Sequence, residues 1–156
     1  MDSINGIPAH PLFVHLAVVA IPLLAVLGIL TVVWPAARRK LGIIVPIVGL
    51  VAVVITPLTT SAGESLEKVT RPNPVLERHT ELGDQMIYFV APLFVAVVLY
   101  WALSSPVVMD RLPSAPAGAV RVGSIVLAVA TVILAVGAII WVYRIGDTGA
   151  ESVWLH

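Results

Sequence analysis

Cysteine is absent from the chain and charge is scarce. Without a thiol there is no disulfide framework, no c-type haem attachment, no cysteinyl iron–sulfur cluster, no lipid-modified cysteine anchor and no thiol redox chemistry. Any redox role needs a cofactor held by histidine or methionine. Charged residues fill 12% of the 156 positions, well below the roughly 25% of an ordinary soluble domain. Mean hydropathy is +1.02, which excludes a disordered tail as well. The nine basic residues are too few and too spread for nucleic-acid binding.

What the chain does have is long uncharged stretches, over 3–37, 41–63, 85–109 and 122–143. Each supplies the roughly 20 residues that a helix needs to cross about 30 Å of hydrocarbon. Between Val122 and Tyr143 stand twelve Val, Ile and Leu residues. At about −0.4 kcal/mol each they favour insertion by roughly 5 kcal/mol, whereas one central Asp or Arg costs about 3 kcal/mol. The first stretch lacks a positive start, its apolar part from Leu16 to Trp34 is too long for a secretory signal, and it ends in Arg38-Arg39-Lys40. It reads as a retained transmembrane helix.

The fold expected is all-α: an integral membrane four-helix bundle in up-down-up-down order, forming one transmembrane domain over 1–156. The helices are expected at about 11–34, 41–60, 74–104 and 120–143, with a short extracytoplasmic loop between the second and third. Pro11 and the pair Asn73-Pro74 suit helix starts. The polar segment 61–71 reads as a surface turn or short interfacial helix, and the tail from Arg144, holding Gly146 and Gly149, as too short for a domain. In the fourth helix Ser124, Ala128, Thr131, Ala135 and Ala138 make a stripe of small residues, which lets helices approach closely in lipid. Packing within the bundle is the expected use of that stripe, ahead of dimerisation.

Orientation follows the basic residues near the spans. The first-to-second and third-to-fourth connections carry Arg38, Arg39, Lys40, Arg111 and Arg121 against Asp110, a net of +4. The opposite side sums to −4. The dense cluster at 38–40 is therefore expected to face the cytoplasm, with both termini and the 61–84 loop on the other side of the membrane.

All four histidines, His10, His15, His79 and His156, fall on the outer side, joined by Glu64 and Asp147. At 1.5 Å rise per residue, His15 lies near the hydrocarbon edge, with His10 about 7 Å and His79 about 9 Å above it. His79 shares a helix face with Val75, Leu82 and Met86, the face expected to point inward. In an up-down-up-down bundle the first and third helices are diagonal, so His10 or His15 could face His79 across the axis, which is what bis-histidine haem ligation needs. A smaller ion such as zinc or copper could instead draw on His10, His79, Glu64 and Asp147. Hydrogen-bonded interfacial histidines are the plain alternative, Met86 reads as packing, and His156 is the last residue. No spacing matches a zincin, a phosphate-binding loop or a nucleophile elbow, so no catalytic residue is assigned. The spans hold no charge at mid-depth, unlike most ion and proton pathways.

The segments Asn5-Gly-Ile-Pro-Ala-His-Pro-Leu-Phe-Val-His15, Trp34-Pro-Ala-Ala-Arg-Arg, Pro57-Leu-Thr-Thr-Ser-Ala-Gly-Glu64, Glu77-Arg-His-Thr-Glu-Leu-Gly-Asp84 and Arg144-Ile-Gly-Asp-Thr-Gly-Ala-Glu-Ser-Val-Trp154 resemble bacterial, especially actinobacterial, membrane proteins filed as domain of unknown function 2231. The resemblance covers nearly the whole chain. It implies a four-helix inner-membrane protein of unassigned activity, and the residues that carry over are His10, His15, Glu64, His79, Gly146 and Gly149. Relatives occur beside or fused to cytochrome-like domains, which implies a haem or electron-transfer setting. Many relatives have histidine where this chain has Asp147, so a ligand set relying on that position is altered here. Three readings stand open. The first is a noncatalytic subunit or accessory protein of a larger, respiratory-type membrane assembly, with the lipid bilayer, other membrane subunits or a second copy as partners. The second is a b-type haem electron-transfer protein. The third is an outer-face zinc or copper site.

Overall fold

The structure, a computed structural model, describes residues 3–4, 7–68, 74–111 and 116–154, with side chains over 12–68, 74–111 and 116–152. A two-residue antiparallel pairing, β1 (Ser3–Ile4) with β2 (Ile7–Pro8), precedes the helices. Then come α1 (Ala9–Val33), α2 (Pro35–Leu41), α3 (Ile44–Glu67), α4 (Pro74–Gln85), α5 (Ile87–Ser104), α6 (Pro106–Met109) and α7 (Ala117–Trp154).

Proline sets two of the breaks. The residue before a proline is pushed out of the helical region by the ring. Trp34, before Pro35, is extended at φ −125° and ψ 102°, and Ser105, before Pro106, is extended at φ −90° and ψ 119°. Gly42 closes α2 at φ 45°, a left-handed backbone that glycine adopts without a Cβ clash.

Four helices are long and apolar enough to cross a membrane: Leu12–Val33, Ile44–Glu67, the pair α4–α5 over Pro74–Ser104, and Ala117–Ser152. Around the bundle α1 packs on α3 and α7, and α5 packs on the same two, while α1 and α5 scarcely meet. The core lies where the four inner faces converge, on Ala17, Ile21 and Leu24 of α1, Val45 and Ala52 of α3, Val90 and Leu93 of α5, and Ala135 and Ala138 of α7. Thr131, Ala135 and Ala138 of the small-residue stripe are buried. Small residues set the spacing elsewhere too: a Cβ on Gly28 would stand 3.2 Å from Thr131 Cγ2, and one on Gly49 would stand 2.7 Å from Phe94 Cδ2.

Several boundaries differ from the sequence expectation. The second span does not stop at 60: α3 runs on to Glu67, so that of the two readings of this stretch, a surface turn or a short interfacial helix, the helical one holds as a continuation of α3, with Ala62 buried. The connection to α4 shrinks to 68–73, of which 69–73 lie outside the described residues. The tail past Tyr143 is helical to Trp154. With 38 residues, α7 measures about 57 Å, and the 12 and 18 residues of α4 and α5 together reach about 45 Å, both well beyond about 30 Å of hydrocarbon. One end of the bundle therefore carries a helical head built from the last turns of α3, all of α4 and the last turns of α7.

Candidate functional site

The head holds His79, Glu64 and Asp147 of the expected site residues, and its central feature is the seam between α4 and α7. His79 is half-buried on α4, and its Nδ1 lies 2.9 Å from the Ile145 carbonyl and 3.3 Å from Thr148 Oγ1. A carbonyl can only accept, so Nδ1 carries the proton and donates it. Thr148 is buried and donates its own hydroxyl hydrogen to the Arg144 and Ile145 carbonyls at 3.0 and 3.1 Å, which leaves its oxygen as an acceptor toward the imidazole. Gly149 makes room for the ring: a Cβ there would stand 3.0 Å from His79 Cε1.

Two turns further along α4, the helix breaks at Met86. In a continuous helix the Met86 N–H would bond the Leu82 carbonyl, but it bonds Gly83 O instead, at 3.0 Å. The released Leu82 carbonyl accepts from Trp141 Nε1 at 3.0 Å. Trp141 is in turn held by Phe89, with ring centroids 5.0 Å apart, and by the Arg144 guanidinium 4.6 Å above its face, a cation–π contact. Gly137 accepts Phe89 at 3.0 Å from a built Cβ, and Gly123 meets Leu103. As residue numbers rise from 79 through 82 and 89 to 103, their partners fall from 149 through 141 and 137 to 123, so α4 and α5 run antiparallel to α7.

Of the remaining expected residues, Glu64 and Asp147 lie on the same head. Glu64 is exposed near the end of α3, close enough together with Glu67 to interact electrostatically with Asp84 of α4. Asp147 is exposed on α7. His15 lies on the exposed side of α1, away from the stripe of Ala17, Ala20, Ile21 and Leu24 that is buried. His10 belongs to the first turn of α1, but its side chain is outside the described residues, as is His156. Among the described residues no three of His, Asp and Glu gather as metal ligands would. Met86 is buried in the core. Gly146 has open space where a Cβ would point, and nothing in the structure explains it.

Sequence reasoning singled out His79 and Gly149 separately but not Thr148 or Trp141. Trp141 carries no signal in the sequence, because its partner is a backbone carbonyl freed by a helix break that no side chain announces.

The matched region spans the bundle and its head together. The chain belongs to the family described as "Predicted membrane protein (DUF2231)". That family's model matches residues 6–156, so the seam between α4 and α7 lies wholly inside the family's extent. No curated protein and no solved structure matches the chain. The family description names a membrane protein and no activity.

Proposed function

We propose that this DUF2231 member is a noncatalytic integral membrane protein that serves as a subunit or accessory protein of a larger membrane assembly, with the His79 head as its outer rim. The observation that carries the reading is the uneven covering of the spans. The first three have 33% to 39% of their most apolar stretch buried within the chain, whereas α7 has 17%. It presents Val122, Val126, Val129, Ile133 and Ile140 outward along its length. A helix so little covered by its own bundle suits a second protein beside it, either another subunit or a second copy. In this reading the four spans alternate in direction, the Arg38–Lys40 end faces the cytoplasm of a bacterial inner membrane and both termini lie on the far side.

The absence of cysteine makes the test clean. A single Val126→Cys or Ile133→Cys variant, labelled with a maleimide–benzophenone whose photoactivated ketone inserts into any neighbouring C–H bond and irradiated in native membranes, should give one discrete heavier species. A uniformly monomeric product at both positions, with cysteines on the exposed side of α5 as controls, would sink the accessory reading.

A second reading is favoured by the His79 tautomer. An imidazole whose Nδ1–H is held by a backbone carbonyl is oriented as ligating histidines commonly are, with Nε2 as the coordinating atom. His79 would then be one ligand of a b-type haem and His10 the other, since His15 is on the outward side of α1; the same atom with His10 and one carboxylate, Glu64 or Asp147, would serve zinc or copper. An absorption spectrum of protein made with full haem supply decides the first, and metal analysis by mass spectrometry the second. A featureless visible spectrum or substoichiometric metal removes the respective proposal.

A further inference from the structure

The opposite end of the bundle carries a second chemistry. There α1 stops at Val33, and Pro35, which has no N–H, leaves the Thr31 carbonyl without its helical donor. Arg38 supplies one: its Nε donates to Thr31 O at 3.0 Å and its Nη2 to Val32 O at 3.4 Å, with the guanidinium carbon 5.0 Å from the centre of the Tyr100 ring. Arg38 is therefore committed to the fold. It clamps α2 onto the ends of α1 and α5, with Ala37 buried and Leu41 packed against the core.

That clamp decides where the neighbouring cations point. Arg39 and Lys40 are exposed, Arg39 on the side of α2 opposite Ala37 and Leu41 and Lys40 on its flank, and their side chains make no hydrogen bond or ion pair among the described residues. The apolar residues flanking α2, Val33 before it and Ile43 and Ile44 after it, are exposed to 63%, 48% and 50%, and Trp34 to 58%. Exposed aliphatic side chains on both sides of a short polar helix mark the edge of the hydrocarbon, and a tryptophan suits that edge. Arg39 and Lys40 thus stand at headgroup depth. Arg111 and Arg121 belong to the same end, through the Leu103 contact with Gly123 and the position of α6 after α5. Asp110 is the one carboxylate near them in sequence.

We propose that the outward face of α2 is a binding site for the headgroup phosphate of anionic phospholipids, held by Arg39 and Lys40 on a helix that Arg38 fixes in place. The proposal rests on the membrane-spanning bundle alone and is independent of any larger assembly.

The test uses full-length protein, delipidated in detergent and offered equal amounts of phosphatidylglycerol and phosphatidylcholine, with bound lipid counted by native mass spectrometry. Wild type should retain phosphatidylglycerol preferentially. The R39Q/K40Q variant should lose that preference by on the order of tenfold, while Lys68→Gln, exposed at the other end, should keep it. Equal retention by wild type and R39Q/K40Q overturns the site. Displacement of the lipid by inorganic phosphate at matched concentration overturns the lipid assignment in favour of a soluble anion. Should the double variant fail to purify as a monodisperse species, Arg39→Gln and Lys40→Gln must each lower the preference several-fold, and unchanged preference in both overturns the proposal.

Discussion

His79 lies so close over Gly149 that a methyl group cannot be added there without moving the imidazole: a Cβ on Gly149 would stand 3.0 Å from Cε1 and 3.3 Å from Nδ1. The glycine is thus part of the hydrogen bond that joins α4 to α7, since it sets the distance at which Nδ1 reaches the Ile145 carbonyl.

Gly149→Ala should destabilise the protein by about 1–2 kcal/mol, because the ring must retreat and the hydrogen bond to Ile145 lengthens or breaks. Gly146→Ala is the internal control. Its Cβ meets nothing, and alanine is the better helix former by about 1 kcal/mol. Thermal unfolding in detergent should move the two midpoints in opposite directions; a shared direction would mean that the close approach is not what Gly149 provides.

The tautomer of His79 is fixed by its acceptor. Long-range nitrogen–proton NMR on selectively labelled protein near neutral pH should find the proton on Nδ1. Observation of the Nε2-protonated neutral form would contradict donation to the Ile145 carbonyl.

Trp141→Phe keeps an aromatic ring beside Phe89 but removes the donor to Leu82 O. Leaving that carbonyl without its partner should cost about 1–3 kcal/mol. Amide hydrogen exchange should accelerate around Gly83–Ile87, where the backbone has already given up one helical bond, more than in the centre of α5. Uniform change, or none, would argue against the coupling.

Gly49 and Phe94 form a second tight pair, with a built Cβ 2.7 Å from Cδ2. Gly49→Ala should cost about 1–3 kcal/mol as overpacking. Combining it with Phe94→Leu should recover part of that loss, a coupling readable in a double-mutant cycle. Strict additivity would show that the two do not share space.

Thr131 behaves differently from the other buried threonines. Thr31 and Thr56 donate to the carbonyls of Gly28 and Ala52 at 2.8 and 2.7 Å, whereas Thr131 Oγ1 has no partner among the described residues. Thr131→Val keeps the shape and removes an unsatisfied hydroxyl, so stability should be unchanged or raised by about 1 kcal/mol. A loss comparable to that of Thr56→Val would indicate that the hydroxyl is bonded in the membrane.

The spans were readable because charge is excluded from hydrocarbon, and the residues that bound each uncharged run, such as Arg38 and Asp110, are also near its ends in the structure. Ser61–Glu67 leaves a turn and a short helix both open, because Ala62 is its one buried residue, too little periodicity to decide for a helix. Arg144–Trp154 misleads through Gly146 and Gly149, whose usual meaning is a helix stop; here Gly149 serves a neighbouring helix instead. The inward face of His79 was legible from its spacing to Leu82 and Met86, both buried. Its partner was not, since nothing local in sequence directs an imidazole to Ile145 and Thr148, 66 and 69 positions away.

The break at Met86 also bears on the order in which the protein is made. Synthesis delivers α1, α3, α4 and α5 before α7. Until α7 arrives, the Leu82 carbonyl lacks the Trp141 donor and the Nδ1–H of His79 lacks the Ile145 carbonyl. The head therefore closes only when α7 docks, so that the bundle and its helical cap are finished in one step.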